Sequence, residues 1–90
     1  MSQVIVDPEE LDQFIRRLNE FNSDLGERTS ALDGQFARLG DTWRDQEHAK
    51  FAQQFLQMIQ VLRSFQRAAE DHIPVLNAKV RAGRAYMGRG

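Results

Sequence analysis

The 90-residue chain has no cysteine, two prolines and one tryptophan, and its twelve Lys and Arg nearly cancel its thirteen Asp and Glu. Each shortage excludes something. Without Cys there is no disulfide, no thiolate nucleophile and no thiolate metal site, although a thiol-free chain suits an oxidising or a reducing compartment equally. A formal charge of -1 leaves no basic excess to neutralise phosphates, so nucleic acid is not an expected partner. The longest apolar cluster near the start is Val4-Ile5-Val6, far short of the roughly 20 apolar residues a spanning helix needs, and no stable membrane insertion is expected. The opening MSQVIVDPEE shows neither a basic leader nor an apolar core, so no cleavable secretory signal is visible.

What is present is helical periodicity. Asp7 suits an N-cap, Pro8 the first helical position and Glu10 the third, a capping-box-like start that the helix dipole favours. Val6 and Leu11 occupy the places of a hydrophobic staple. Leu11, Leu18, Leu25, Leu32 and Leu39 then recur every seven residues, with Phe14 and Phe21 between them, which predicts one helix over 8–39. Gly26 and Gly34 weaken it without breaking the period. Phe51, Phe55, Met58, Leu62, Phe65, Ala69, His72 and Leu76 predict a second helix over 45–73, separated from the first by a turn at 40–44. Gly40 is placed to end the first helix, and Asp41, Thr42 or Asp45 to cap the second.

So short a connection forces an antiparallel hairpin. A turn centred near residue 42 sets Leu32 against Phe51, Leu25 against Met58 and Phe14 near Ala69. The first helix then runs out of partner near Pro74, where a kink or break is expected, followed by a short helical or fraying basic tail over 75–90. The whole of 1–90 reads as one all-α helical-hairpin domain. Ile15 and Phe36 on the first helix, with Ile59 and Ile73 on the second, widen the apolar stripe beyond what two helices bury. The expected dimer and core face is Leu11, Phe14, Ile15, Leu18, Phe21, Leu25, Leu32, Phe36, Leu39, Phe51, Phe55, Met58, Ile59, Leu62 and Phe65. Pairing two hairpins into a four-helix bundle would bury it.

At this point the chain resembles the WXG family of small proteins, about one hundred residues long, that are exported by type VII secretion systems. The resemblance rests on Val6-Asp7-Pro8-Glu9-Glu10-Leu11, on a helix-turn-helix of matching length, on Trp43 in the turn, and on Phe51 and Phe55 phased after it. There are two departures. Trp43-Arg44-Asp45 stands where the family has Trp-x-Gly, and Tyr86, the candidate export or partner signal, is followed four residues later by Gly90 rather than an acid. The resemblance implies a non-enzymatic secreted protein or carrier, cytoplasmic before export without a cleaved signal. It implies a homodimer or heterodimer with a similar small helical protein, a possible encounter with a secretion ATPase, and no cofactor. The competing reading is an intracellular helical-hairpin adaptor or chaperone unrelated to secretion.

Other residues admit more than one role. Asp45 and His48 share a helix face as metal ligands sometimes do, but no Glu-x-x-His repeat supports them, and the acids Asp45 and Glu47 equally suit a helix N-terminus with His48 beside Phe36. No catalytic, metal or cofactor site is expected. His72 is a pH-sensitive seam residue or a structural edge histidine. Arg28 and Gln35 interrupt the apolar register, either fixing partner choice or marking where the bundle splays. Trp43 is a contact for a partner or packs over Phe36, Leu39 and Phe51. Residues 1–30 hold seven acids and three bases, whereas 72–90 hold Lys79, Arg81, Arg84 and Arg89 without an acid. The hairpin brings these ends together. Either they pair with each other, or the tail docks on an acidic partner, a lipid surface or nucleic acid.

Overall fold

Asp7 starts the first helix: its Oδ1 accepts hydrogen bonds from the backbone N–H of Glu9 (2.9 Å) and Glu10 (3.5 Å), with Pro8 behind it where no N–H is needed. The structure, a computed structural model, describes residues 6–88, in which α1 spans Pro8–Leu39 and α2 spans Gln46–Met87. At the end of α1 the N–H groups of Gly40, Asp41 and Thr42 return to carbonyls three residues earlier, tightening the last turn, and Trp43 N–H reaches Leu39 O at 2.8 Å. Gly40 itself stays right-handed at φ -62°, so the tightened turn, and not a left-handed glycine, ends the helix. Asp45 is the cap of α2, its Oδ1 accepting from His48 N at 3.0 Å.

The two helices form an antiparallel hairpin whose extents are 67 × 26 × 15 Å. Its radius of gyration is 19.9 Å, against about 12 Å for a compact domain of this length. The molecule is thus a single layer of helices.

The second helix does not end at residue 73. It continues as α-helix through Pro74 to Met87, so most of the expected tail belongs to α2; Arg89 and Gly90 lie outside the described residues. A proline in a helix interior removes one backbone hydrogen bond and costs about 3 kcal/mol. Tertiary packing offsets that cost here. Val80 is 3% exposed, and Gly83 lies so close to Pro8 that a Cβ added to it would be 3.3 Å from Pro8 Cβ. Arg84 then reaches Glu9.

The register also differs from the expected one. Near the turn Phe36 stacks on His48 and meets Phe51 edge-on, as a turn near residue 42 requires. Farther out Phe21 meets Phe65, Asn22 reaches Gln66 O, and Pro8 sits against Gly83. Leu25 accordingly shares a hollow with Val61, Leu62 and Phe65 and not with Met58, and Leu18 takes the place beside Ala69 expected for Phe14. Part of the shift has a simple cause. Helical side chains lean toward their own N-terminus, so in an antiparallel pair each contact joins residues farther along both helices than the Cα levels suggest.

The seam between the helices is correspondingly different. On α1 the buried residues are Pro8, Ile15, Asn22 and Thr29, a column of sevens that leads on to half-buried Phe36. On α2 they are Phe55, Ile59, Ala69 and Val80. Asn22 Nδ2 donates to Gln66 O at 3.1 Å, while Asn22 Oδ1 and Thr29 Oγ1 are buried without a partner. Gly26 lies where Gln66 crosses; an added Cβ would fall 2.5 Å from Gln66 Nε2.

Candidate functional site: an exposed apolar face and the turn beside it

The leucine column and its neighbours lie beside the seam and not in it. Phe14 and Phe21 are each 55% exposed, and Leu32, Leu39, Phe51, Met58 and Phe65 between 40% and 49%. Leu11, Leu18, Leu25, Phe36 and Leu62 are half-buried, and only Ile15, Phe55 and Ile59 of the expected face are buried within the hairpin. The apolar residues on both helices therefore form one continuous strip along one side of the molecule. Within it, Leu32, Leu39, Phe51, Phe55 and Met58 line a hollow of about 510 Å³ near the turn, edged by Gln35, Arg38 and Thr42. A second, shallower depression joins Leu18 to Phe65, Ala69, His72 and Leu76. Single exposed apolar residues are ordinary on a protein surface; a contiguous strip of this kind marks an interaction site.

Total exposure gives the same message. The chain exposes 7355 Å², whereas a compact monomer of 10.4 kDa exposes about 5,400 Å². Domains cover an apolar face with a second layer, and this hairpin lacks one.

At the closed end the turn motif is built around one carboxylate. Asp45 Oδ1 accepts from Trp43 Nε1 at 2.9 Å as well as from the His48 backbone, so one oxygen orients the indole and caps α2. Arg44 Nε donates to Gly40 O at 3.1 Å, closing the other side of the turn. Trp43 meets His48 edge-on at 4.9 Å, and His48 lies flat on Phe36 at 5.2 Å. Trp43 also stacks near Phe51 at 6.5 Å. The tryptophan thus packs over the turn while remaining half-exposed. His48 serves as an aromatic spacer, its Nε2 buried without a hydrogen-bond partner.

At the open end the acidic start and the basic end meet. Arg84 makes a two-pronged contact with Glu9 (Nε to Oε1 2.9 Å, Nη2 to Oε2 3.2 Å) and reaches Asp12 at 3.5 Å; Asp12 also holds Arg16 at 3.2 Å. The hydrogen bonds and charge of Glu9, with Asp12 behind them, raise the Arg84 pKa above its ordinary value. Lys79 and Arg81 are exposed. Tyr86 is 64% exposed on the last turn of α2.

His72 does not enter the helix–helix seam; it is exposed, and its Nδ1–H donates to Ala68 O at 3.0 Å. Arg28 and Gln35 stand on the exposed strip. The sequence periodicity did not single out Asn22 and Thr29 as seam residues, because they are polar. Their spacing of seven from Pro8 and Ile15 is the signal that would have found them.

No helix among the described residues is long and apolar enough to cross a membrane. Residues 3–84 match the family described as proteins of 100 residues with WXG. No curated protein and no solved structure matches the chain. The match spans both helices and the turn, and with the hairpin and its aromatic turn around Trp43 it leads to one assignment: the chain belongs to the WXG100 family of small type VII secretion-associated proteins.

Proposed function

We propose that this chain is a non-enzymatic export substrate or carrier of a type VII secretion system, acting through dimerisation and protein–protein recognition. The observation that carries the reading is the continuous apolar strip on a hairpin only 15 Å deep, with Phe14 and Phe21 more than half exposed. A second helical hairpin laid on that strip would complete a two-layer, four-helix bundle. Family membership supports export without a cleaved signal peptide. The half-exposed Trp43 and the exposed Tyr86 lie toward opposite ends of the rod, where a secretion ATPase can reach them.

The decisive experiment is localisation. An epitope-tagged chain expressed in its native host is expected in the culture supernatant, and to be retained in cells when the secretion ATPase is deleted. Retention in both backgrounds would overturn the secretion reading in favour of an intracellular adaptor.

A further inference from the structure

The motif that describes the family has glycine two residues after its tryptophan, and in this chain Asp45 stands there. The backbone does not require glycine at this place. Asp45 lies at φ -83° and ψ -178°, extended geometry that any residue adopts, and no described residue has a positive φ. A side chain is therefore admitted where the motif has only hydrogen. Its Oδ1 accepts from Trp43 Nε1 at 2.9 Å and from His48 N at 3.0 Å. The second bond caps a helix; the first orients a ring.

Trp43 is thereby held at two points that belong to different helices. Its backbone N–H donates to Leu39 O at 2.8 Å, at the end of α1, and its indole N–H donates to the cap of α2. His48 meets the ring edge-on at 4.9 Å, and Phe51 lies within 29° of parallel to it at 6.5 Å. A half-exposed side chain ordinarily moves among rotamers. Here both its ends are fixed.

We propose that Asp45 is a positioning residue: through the indole N–H it holds the outward face of Trp43 in the orientation that the secretion machinery reads. The inference rests on the secretion reading, and assigns a role within it to the turn residue that departs from the motif. Capping alone would be served as well by serine or threonine. A carboxylate reaches one bond farther than a serine hydroxyl, and a charged acceptor makes the stronger kind of hydrogen bond. Because the indole donor is satisfied within the chain, a partner meets the ring's face and outer edge and not a free N–H.

The test uses the full chain, whose one tryptophan gives a single indole N–H signal in NMR spectra. In the wild type that proton should exchange with water at least about tenfold more slowly than in free tryptophan. Asp45→Ser retains a capping oxygen but withdraws it from the indole; it should remove most of this protection while lowering the melting temperature little. Asp45→Asn, whose amide oxygen can accept both bonds, should restore the protection. Epitope-tagged and expressed in the native host at equal cellular amounts, Asp45→Ser should reach the supernatant severalfold less than the wild type, and Asp45→Asn should recover most of that loss.

An unprotected indole N–H in the wild type would overturn the inference whether or not any variant folds. Equal export of wild type and Asp45→Ser would do the same, because the ring's orientation would then not be read. So would an export loss that Asp45→Asn fails to recover, since charge and not the indole contact would be at work. Retention of the wild type itself marks failure of the secretion reading instead, and indole exchange in the purified chain still decides whether Asp45 holds the ring.

Discussion

Two columns of α1, each stepping by sevens, face different surroundings. Pro8, Ile15, Asn22 and Thr29 are buried against α2, although two of the four are polar. Leu11, Leu18, Leu25, Leu32 and Leu39, the more hydrophobic column, lie at the edge, with Phe14 and Phe21 beyond them exposed. The difference teaches that the most hydrophobic column need not be the one that forms the seam between two helices. The inner column needs close approach more than bulk, since Gln66 passes over Gly26 and its carbonyl takes the Asn22 amide. The outer column carries bulk that α2 leaves partly exposed.

Phe55→Ala, on the inner surface, offers the largest way to break this comparison. It should lower unfolding stability by about 3–5 kcal/mol at any protein concentration, because it opens a cavity within the hairpin. Phe21→Ala, on the outer surface, should act chiefly on association and lose most of its effect at high dilution. Denaturant titrations at two concentrations distinguish them; equal, concentration-independent losses would erase the distinction between the columns.

Changes at Thr29 of the inner column and at two glycines of α1 have the opposite sign. Thr29→Val removes a buried hydroxyl that has no partner while keeping its shape, and should stabilise the hairpin by about 1 kcal/mol in a thermal melt. Gly34→Ala, where an added Cβ meets only the far end of Arg38, should gain about 1 kcal/mol from helix propensity. Gly26→Ala should gain clearly less, since Gln66 must withdraw to admit the methyl group. Equal gains at the two glycines would mean that Gln66 does not hold the seam.

The smallest effect belongs to the open end. Glu9→Gln should shift the melting temperature barely above detection, because the Arg84 contact is exposed and screened by salt. Its signature is local: faster amide exchange over the last turns of α2. The folded-state pKa of Arg84 is raised, so its contribution is fully present below its unfolded value and is lost only as pH rises through the folded one. Between pH 6 and 9 this arginine should therefore impart no pH dependence to the melt.

Much of the architecture is legible from residues alone. The Asp7-Pro8 start, the leucine sevens and the phased aromatics of the second run specify two long helices, and the short connection specifies their antiparallel return. Trp43, Phe51 and Phe55 carry the family resemblance, which the match over residues 3–84 establishes. Pro74 misled because its local cost is real, while the contacts that offset it come from Pro8 and Glu9, on the opposite helix and at the other end of the chain. Asn22 and Thr29 are not legible as seam residues, because a polar side chain carries no mark of burial until its neighbours are known.

Sequence by itself determined the kind of element, its caps and the width of its apolar face, since these follow from backbone preference and from a period of 3.6 residues. Tertiary structure decided which column of that face turns inward, how the register runs, and that α2 continues to Met87. Those outcomes depend on side chains brought together from opposite ends of the chain: Gly26 under Gln66, Pro8 against Gly83, Arg84 on Glu9. Local propensity contains no term for such pairs, because their free energy exists only once the two helices are side by side.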